Sequence, residues 1–214
     1  MSNSRVFDKK KLIDSLAIVV GVLLIAGAVG ILIAQADFSE RQTADSVVKA
    51  MKSIMPPPQR AFPEPHYGKD MPSTEVGGES FVGLLEIEQY DTLLPVATNW
   101  SDKELKRFPM VYSGNIYNRD LIIGAGNNEG QFDFADEIEI GASIHFVDLY
   151  GHEFCYEVSM VNHLEDIASI DSGDDDLTIF AKSKTTSKYV IIRCGLSQKA
   201  SEADSFFVLW KRES

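Results

Sequence analysis

Two thiols, a few imidazoles, one lysine–arginine pair and a run of carboxylates are the groups here that could bond to a ligand or act on one. The chain of 214 residues holds two cysteines, Cys155 and Cys194, and four histidines. A thiol attacks or binds metal as its thiolate, which apolar surroundings disfavour. Both cysteines sit in apolar, strand-forming runs, so the expectation is two buried free thiols. A disulfide between them is the alternative in an oxidising compartment. His145, His152 and His163 fall on one predicted hairpin. No cysteine or carboxylate joins them at a recognised metal spacing, so they read as strand and turn histidines and no metal is expected. Glu165, Asp166, Asp171, Asp174, Asp175 and Asp176 lack EF-hand spacing and read as a solvated acidic loop. Gly124-Ala125-Gly126 opens like a dinucleotide-binding loop. The third glycine, Gly130, comes one residue too late and no helix pattern follows, so no cofactor is expected.

The elements that would position these groups are mostly strands. Phe81–Ile87, Leu93–Val96, Leu121–Ile123, Ser143–Leu149, Glu153–Val161, Leu177–Lys182, Tyr189–Cys194 and Ser205–Trp210 are short runs rich in β-formers. Tyr150-Gly151-His152 marks a hairpin turn, and Ser101 with Glu104 makes a capping box for a short helix from Asp102 to Arg107. With so little helix between strands, the expected domain is mostly antiparallel β, a barrel or a sandwich. Val47, Val48, Met51 and Met55 recur at helical spacing, a face suited to packing on that domain. Pro56-Pro57-Pro58 ends this helix, and the proline- and glycine-rich stretch to about Ser80 predicts an extended spacer.

Charge is unevenly spread. The net charge is −12, yet Arg5, Lys9, Lys10 and Lys11 make the start basic. An acidic main domain argues against nucleic acid as a partner. Leu16–Ala34 carries no charged residue and is long enough to span a bilayer as a helix. The basic residues before it place the N-terminus inside. Cleavage after Ala34-Gln35-Ala36 is the rival expectation. The predicted order is a cytoplasmic N-terminus over 1–15, an anchor helix over 16–36, a stalk over 37–80 and an extracellular domain over 81–214.

Asp176-Leu177-Thr178-Ile179-Phe180-Ala181-Lys182, followed by Tyr189-Val190-Ile191-Ile192-Arg193-Cys194, resembles the catalytic strand pair of a sortase. Gly124-Ala125-Gly126-Asn127-Asn128 resembles the family's Ala-Gly-His-Asn segment. Phe81–Ile87 with Leu94-Pro95-Val96 resembles its opening strands. Gly141, Phe146, Asp148, Gly151 and Tyr156-Glu157-Val158 resemble its hairpin, with a flavour nearest class B. The resemblance implies a closed barrel of about eight strands and a cysteine transpeptidase ancestry. A thiolate would attack a sorting-signal peptide bond, a histidine would shuttle protons and an arginine would stabilise the oxyanion. At those three positions this chain has Lys182, Asn127 and Arg193, and Ala181 replaces the threonine beside the nucleophile. The implied groove would hold all three side chains. The implied protein is an inactive sortase homologue that binds a sorting-signal peptide, a pilin or an active sortase. The alternative is an active transpeptidase with Cys194 or Lys182 as a displaced nucleophile.

Overall fold

The computed structural model describes residues 43–60, 69–102, 104–171, 173 and 175–197. Within them the chain forms β1 (Gln59–Arg60), β2 (Thr74–Val76), β3 (Glu79–Ile87), β4 (Thr92–Ala97) and β5 (Met110–Ser113). It continues with β6 (Leu121–Ala125), β7 (Ser143–Asp148), β8 (His152–Leu164), β9 (Leu177–Lys182) and β10 (Tyr189–Leu196). A helix covers 43–54, and short 3-10 turns fill several connections.

Eight strands close into a barrel in the order β3-β4-β5-β6-β9-β10-β8-β7 and back to β3. Neighbours run antiparallel except β4 with β5 and β6 with β9. Closure leaves these strands no free edge. The eight-stranded barrel expected from the sequence is the observed fold.

Strand alternation sorts the side chains. Leu121, Ile123 and Ala125 of β6, Leu177, Ile179 and Ala181 of β9, and Val190, Ile192 and Cys194 of β10 share the main core with Phe132, Phe146, Phe154 and Tyr156. Their neighbours Ile122, Phe180 and Ile191 form a separate apolar cluster. Burial of both faces explains why these strands read as unbroken apolar runs. The helix over 43–54 sets Ala44, Val47, Val48 and Met51, with Met55 beyond it, against Phe81, Leu84, Phe108, Met110 and Val147.

The spacer expected up to Ser80 takes a different form in its described parts. Gly77 and Gly78, with φ of 64° and 88°, turn the chain so that β2 pairs with β3. After the prolines, the Gln59 N–H donates to the Gly151 carbonyl at 2.7 Å, and β1 runs parallel to the start of β8. Backbone pairing therefore ties this stretch to the barrel at both ends. β5 is a further addition to the sequence reading; Val111 and Tyr112 in it are only half-buried. The expected Asp102–Arg107 helix is a 3-10 turn, Glu104–Lys106. The Leu16–Ala34 and Ser205–Trp210 runs lie outside the described residues. Among the described residues no helix is long and apolar enough to cross a membrane.

Met51 is fully buried under the barrel wall, whereas Ile54 is 58% exposed. Met51→Ala should cost about 2–5 kcal/mol in urea unfolding, and Ile54→Ala should stay within about 0.5 kcal/mol. Equal effects would mean that the helix does not contribute to the fold in solution.

Candidate functional site

The candidate site begins where β6 and β9 end together. The two strands are parallel and in step, Leu121 beside Leu177 through Ala125 beside Ala181. Lys182 closes β9 with its side chain exposed, and Gly126 and Asn127 leave β6 at the same end. A short network holds that exit. The Gly126 N–H donates to Gln131 Oε1 at 3.1 Å, and the Phe132 N–H donates to the Gly126 carbonyl. The Gln131 and Asn128 side-chain amides both donate to the Lys106 carbonyl. A Cβ on residue 126 would lie 2.6 Å from the Leu105 carbonyl oxygen, so only glycine fits there.

The turn after Lys182 is fixed as well. The Ser183 N–H donates to the Lys188 carbonyl at 2.9 Å, and Ser183 Oγ accepts from the Thr185 and Thr186 N–H groups. The Asp136 carboxylate accepts the Lys184 N–H at 2.8 Å. Burial works against its charge, but hydrogen bonds from Ser183, Lys184 and Thr185 hold its carboxyl below the usual aspartate range.

Arg193 is not part of this arrangement, contrary to the expectation of a three-residue groove. In the β9–β10 ladder Lys182 faces Tyr189, whereas Arg193 faces Thr178. The offset is four residues, about 13 Å along a strand. The tight 183–188 turn sets that register and leaves the row opposite Lys182 to Tyr189. The guanidinium is bound at the far end of the hairpin, 2.8 Å from Asp175 Oδ2 and 3.4 Å from Asp171 Oδ1. The acidic loop is thus an anchor for Arg193 and not only a solvated segment. Asp176 also accepts the Leu196 N–H, and Asp166 accepts the Ala168 N–H.

The outer face between these two ends is filled by the chain itself. Trp100, Tyr112, Leu164, Ile167, Ile170 and Tyr189 pack over Ile122, Phe180 and Ile191. Trp100 and Tyr112 meet edge to face at 5.1 Å, and Tyr112 meets Phe180 in the same way at 5.3 Å. The glycine of β6 makes room: a Cβ on Gly124 would stand 2.3 Å from the Trp100 ring and 2.7 Å from Phe180. In the sequence this glycine reads as part of a loop motif; in the fold it seats an aromatic ring.

The thiols are free and buried, as expected. Cys194 belongs to the barrel core, and burial pushes its thiol far up, against a nucleophilic role. Cys155 has company that the spacing of residues along the chain does not reveal. His145 pairs with Cys155 across β7–β8 and with Glu86 across β7–β3. His145 Nδ1 lies 2.8 Å from Glu153 Oε1. Burial opposes its charge, but the Cys155 and Glu153 side chains raise the imidazole to about 10. Burial also pushes the Glu86 carboxyl up to about 7. The signal that sequence spacing could not give is cross-strand register.

No family model matches this chain, and no curated relative does. Solved structures similar to it are sortases. A Clostridium perfringens sortase C with its C-terminal cell-wall sorting motif is 17% identical over 56% of this chain and 71% of that one, with a TM-score of 0.48. Streptococcus suis sortase C1 is 15% identical over 58% and 76%, TM-score 0.49. Corynebacterium diphtheriae sortase A is 16% identical over 79% and 95%, TM-score 0.49. These are partial superpositions at low identity; the barrel itself rests on the strand pairing above. They are class A and class C enzymes and lend nothing to the class B flavour of the sequence.

Two measurements check the site's construction. Gly124→Ala should cost about 1–3 kcal/mol by crowding Trp100. Adding Trp100→Ala should make the double variant less unstable than the sum of the single changes; strict additivity would mean that the ring does not sit on Gly124. For Asp136 the folded-state value is depressed, so its contribution is present above the ordinary 3.8 and is lost as pH falls through the folded value. Wild type should therefore exceed Asp136→Asn in stability at neutral pH, with the gap closing in acid. A gap that is unchanged in strong acid would refute the capping role.

Proposed function

We propose that this chain is a membrane-anchored relative of the sortases that has lost transpeptidation. In this reading it acts as a binding or accessory module in surface-protein sorting or pilus assembly. Residues 16–36 hold it in the membrane with the N-terminus inside, and the barrel faces out. The observation that carries the reading is the state of the thiols. The chain has two; both are buried, and neither stands at the end of β9, where the resemblance puts the nucleophile. A buried thiol cannot be reached by an extended peptide, and burial keeps Cys194 protonated as well.

What remains at the exit of β6 and β9 is an exposed amine, Lys182, with Asn127 on the loop that leaves β6 at the same end. Such a pair suits a carboxylate or a polarised carbonyl of an extended peptide. Arg193 adds no charge there, because Asp175 and Asp171 hold it at the other end of the hairpin. The displaced-nucleophile alternative loses its thiol candidate to the barrel core.

The test is turnover. The purified full chain should neither cleave nor transfer a sorting-signal peptide. The variant Asn127→His with Lys182→Cys should also remain inactive, because Tyr189 occupies the row opposite 182. Activity in wild type that disappears on Cys194→Ala or Lys182→Ala would overturn this reading. Peptide binding without turnover, weakened in Lys182→Ala, would support it.

A further inference from the structure

We propose that Glu86, His145, Glu153 and Cys155 form a binding site for one divalent transition-metal ion, zinc by donor chemistry, on the outer face of β3, β7 and β8. Register builds the site. Glu86, His145 and Cys155 occupy one lateral row across three strands. Glu153 lies two residues from Cys155 on β8 and so points to the same face. That face lies away from the barrel core, which takes Leu85, Ile87, Ile144, Phe146, Phe154 and Tyr156 from these strands.

The donor atoms of His145, Glu153 and Cys155 all lie within 4.8 Å of one another. Ligands about 2.0–2.3 Å from a common tetrahedral ion stand roughly 3.3–3.8 Å apart. Closing the difference requires these side chains to rotate inward, and Glu86, outside that set, to turn toward them from its ladder position beside His145. All three residues are buried, which is the setting of a structural metal and not of an exposed acidic patch.

Glu86 supplies the independent observation. It is 1% exposed, and neither carboxylate oxygen has a hydrogen-bond partner among the described residues. It neighbours His145 in the ladder and interacts electrostatically with both His145 and Glu153. A buried carboxylate without a partner is costly. An ion bound by the other three side chains would give it one.

The donor set also chooses the ion. One thiolate, one imidazole and two carboxylates suit zinc; calcium and magnesium prefer all-oxygen shells. A dication would offset most of the negative charge of two carboxylates and a thiolate. The ion would join three barrel strands beside the helix over 43–54, whose Lys52 interacts with Glu86. Its role would be structural, apart from the β6–β9 exit.

The experiment uses the full chain in mild detergent, stripped of metal and titrated with Co²⁺ as the spectroscopic probe, then with Zn²⁺. Wild type should take up one equivalent of cobalt with a thiolate-to-cobalt charge-transfer band, and zinc should displace it. Melting temperature should rise with zinc. Glu86→Gln should weaken cobalt binding about 10–100-fold, and folded Cys155→Ser should lose the band. Should Cys155→Ser fail to fold, the wild-type band together with the Glu86→Gln shift decides. Folded wild type with neither band nor zinc-dependent melting overturns the proposal. So does a band that survives unchanged in Cys155→Ser or in Glu86→Gln.

Discussion

The parallel pairing of β6 with β9 is the constraint on which the rest of this barrel hangs. Five consecutive residue pairs, Leu121 with Leu177 through Ala125 with Ala181, run in step. Because the strands are parallel and unshifted, their C-terminal ends finish at one level, and the loops that leave them emerge side by side. That puts Lys182 and the loop that carries Asn127 at the same end of the barrel. The same pairing fixes which residues point inward. Ile123, Ala125, Ile179 and Ala181 fill the core, and Ile122, Gly124 and Phe180 are left on the outer wall. A slip of one residue would exchange the two sets. Trp100 would then lose the glycine on which its ring sits.

The register of β9 against β10 depends on a different kind of constraint. Six residues, 183–188, join the strands, and Ser183 serves as the hub of the turn through its N–H and its hydroxyl. So short a connection allows little freedom in pairing, and it places Arg193 opposite Thr178. Once there, the guanidinium meets the acidic loop before β9. A Cβ on Gly173, at φ 57°, would come within 2.9 Å of Arg193 Nη1. The arginine and the loop therefore hold each other, and the half-buried ion pair with Asp175 closes this end of the hairpin.

Much of this is legible in the sequence, for a physical reason. Strands buried on both faces leave long apolar runs, so β3, β4, β6, β7, β9, β10 and the first half of β8 stand out from residue type alone. β5 and β2 do not, because Val111, Tyr112, Thr74 and Val76 are half-buried and pair over only a few residues. Positions one residue apart are also readable: Cys194 faces the core because Arg193 faces out. Positions related across strands are not. Arg193 looks like a partner of Lys182 because the segments around both match the sortase pattern in order, but order along the chain does not fix register. His145 looks unaccompanied for the same reason. Its companions Glu86 and Cys155 are 59 and 10 residues away in the chain and directly beside it in the sheet.

The two ends of this logic meet in how the chain distributes its polar groups. On the β5–β6–β9–β10 wall the outer surface is covered by rings and aliphatic side chains, and the exposed cation Lys182 is left at the rim. On the β3–β7–β8 wall the outer surface buries two carboxylates, an imidazole and a thiol together. Burying such groups is unfavourable unless each finds a partner. His145 answers part of that demand through Glu153, yet the oxygens of Glu86 have no hydrogen-bond partner among the described residues. The polar row thus leaves one buried carboxylate with an unmet demand, and the proposed ion is what would meet it.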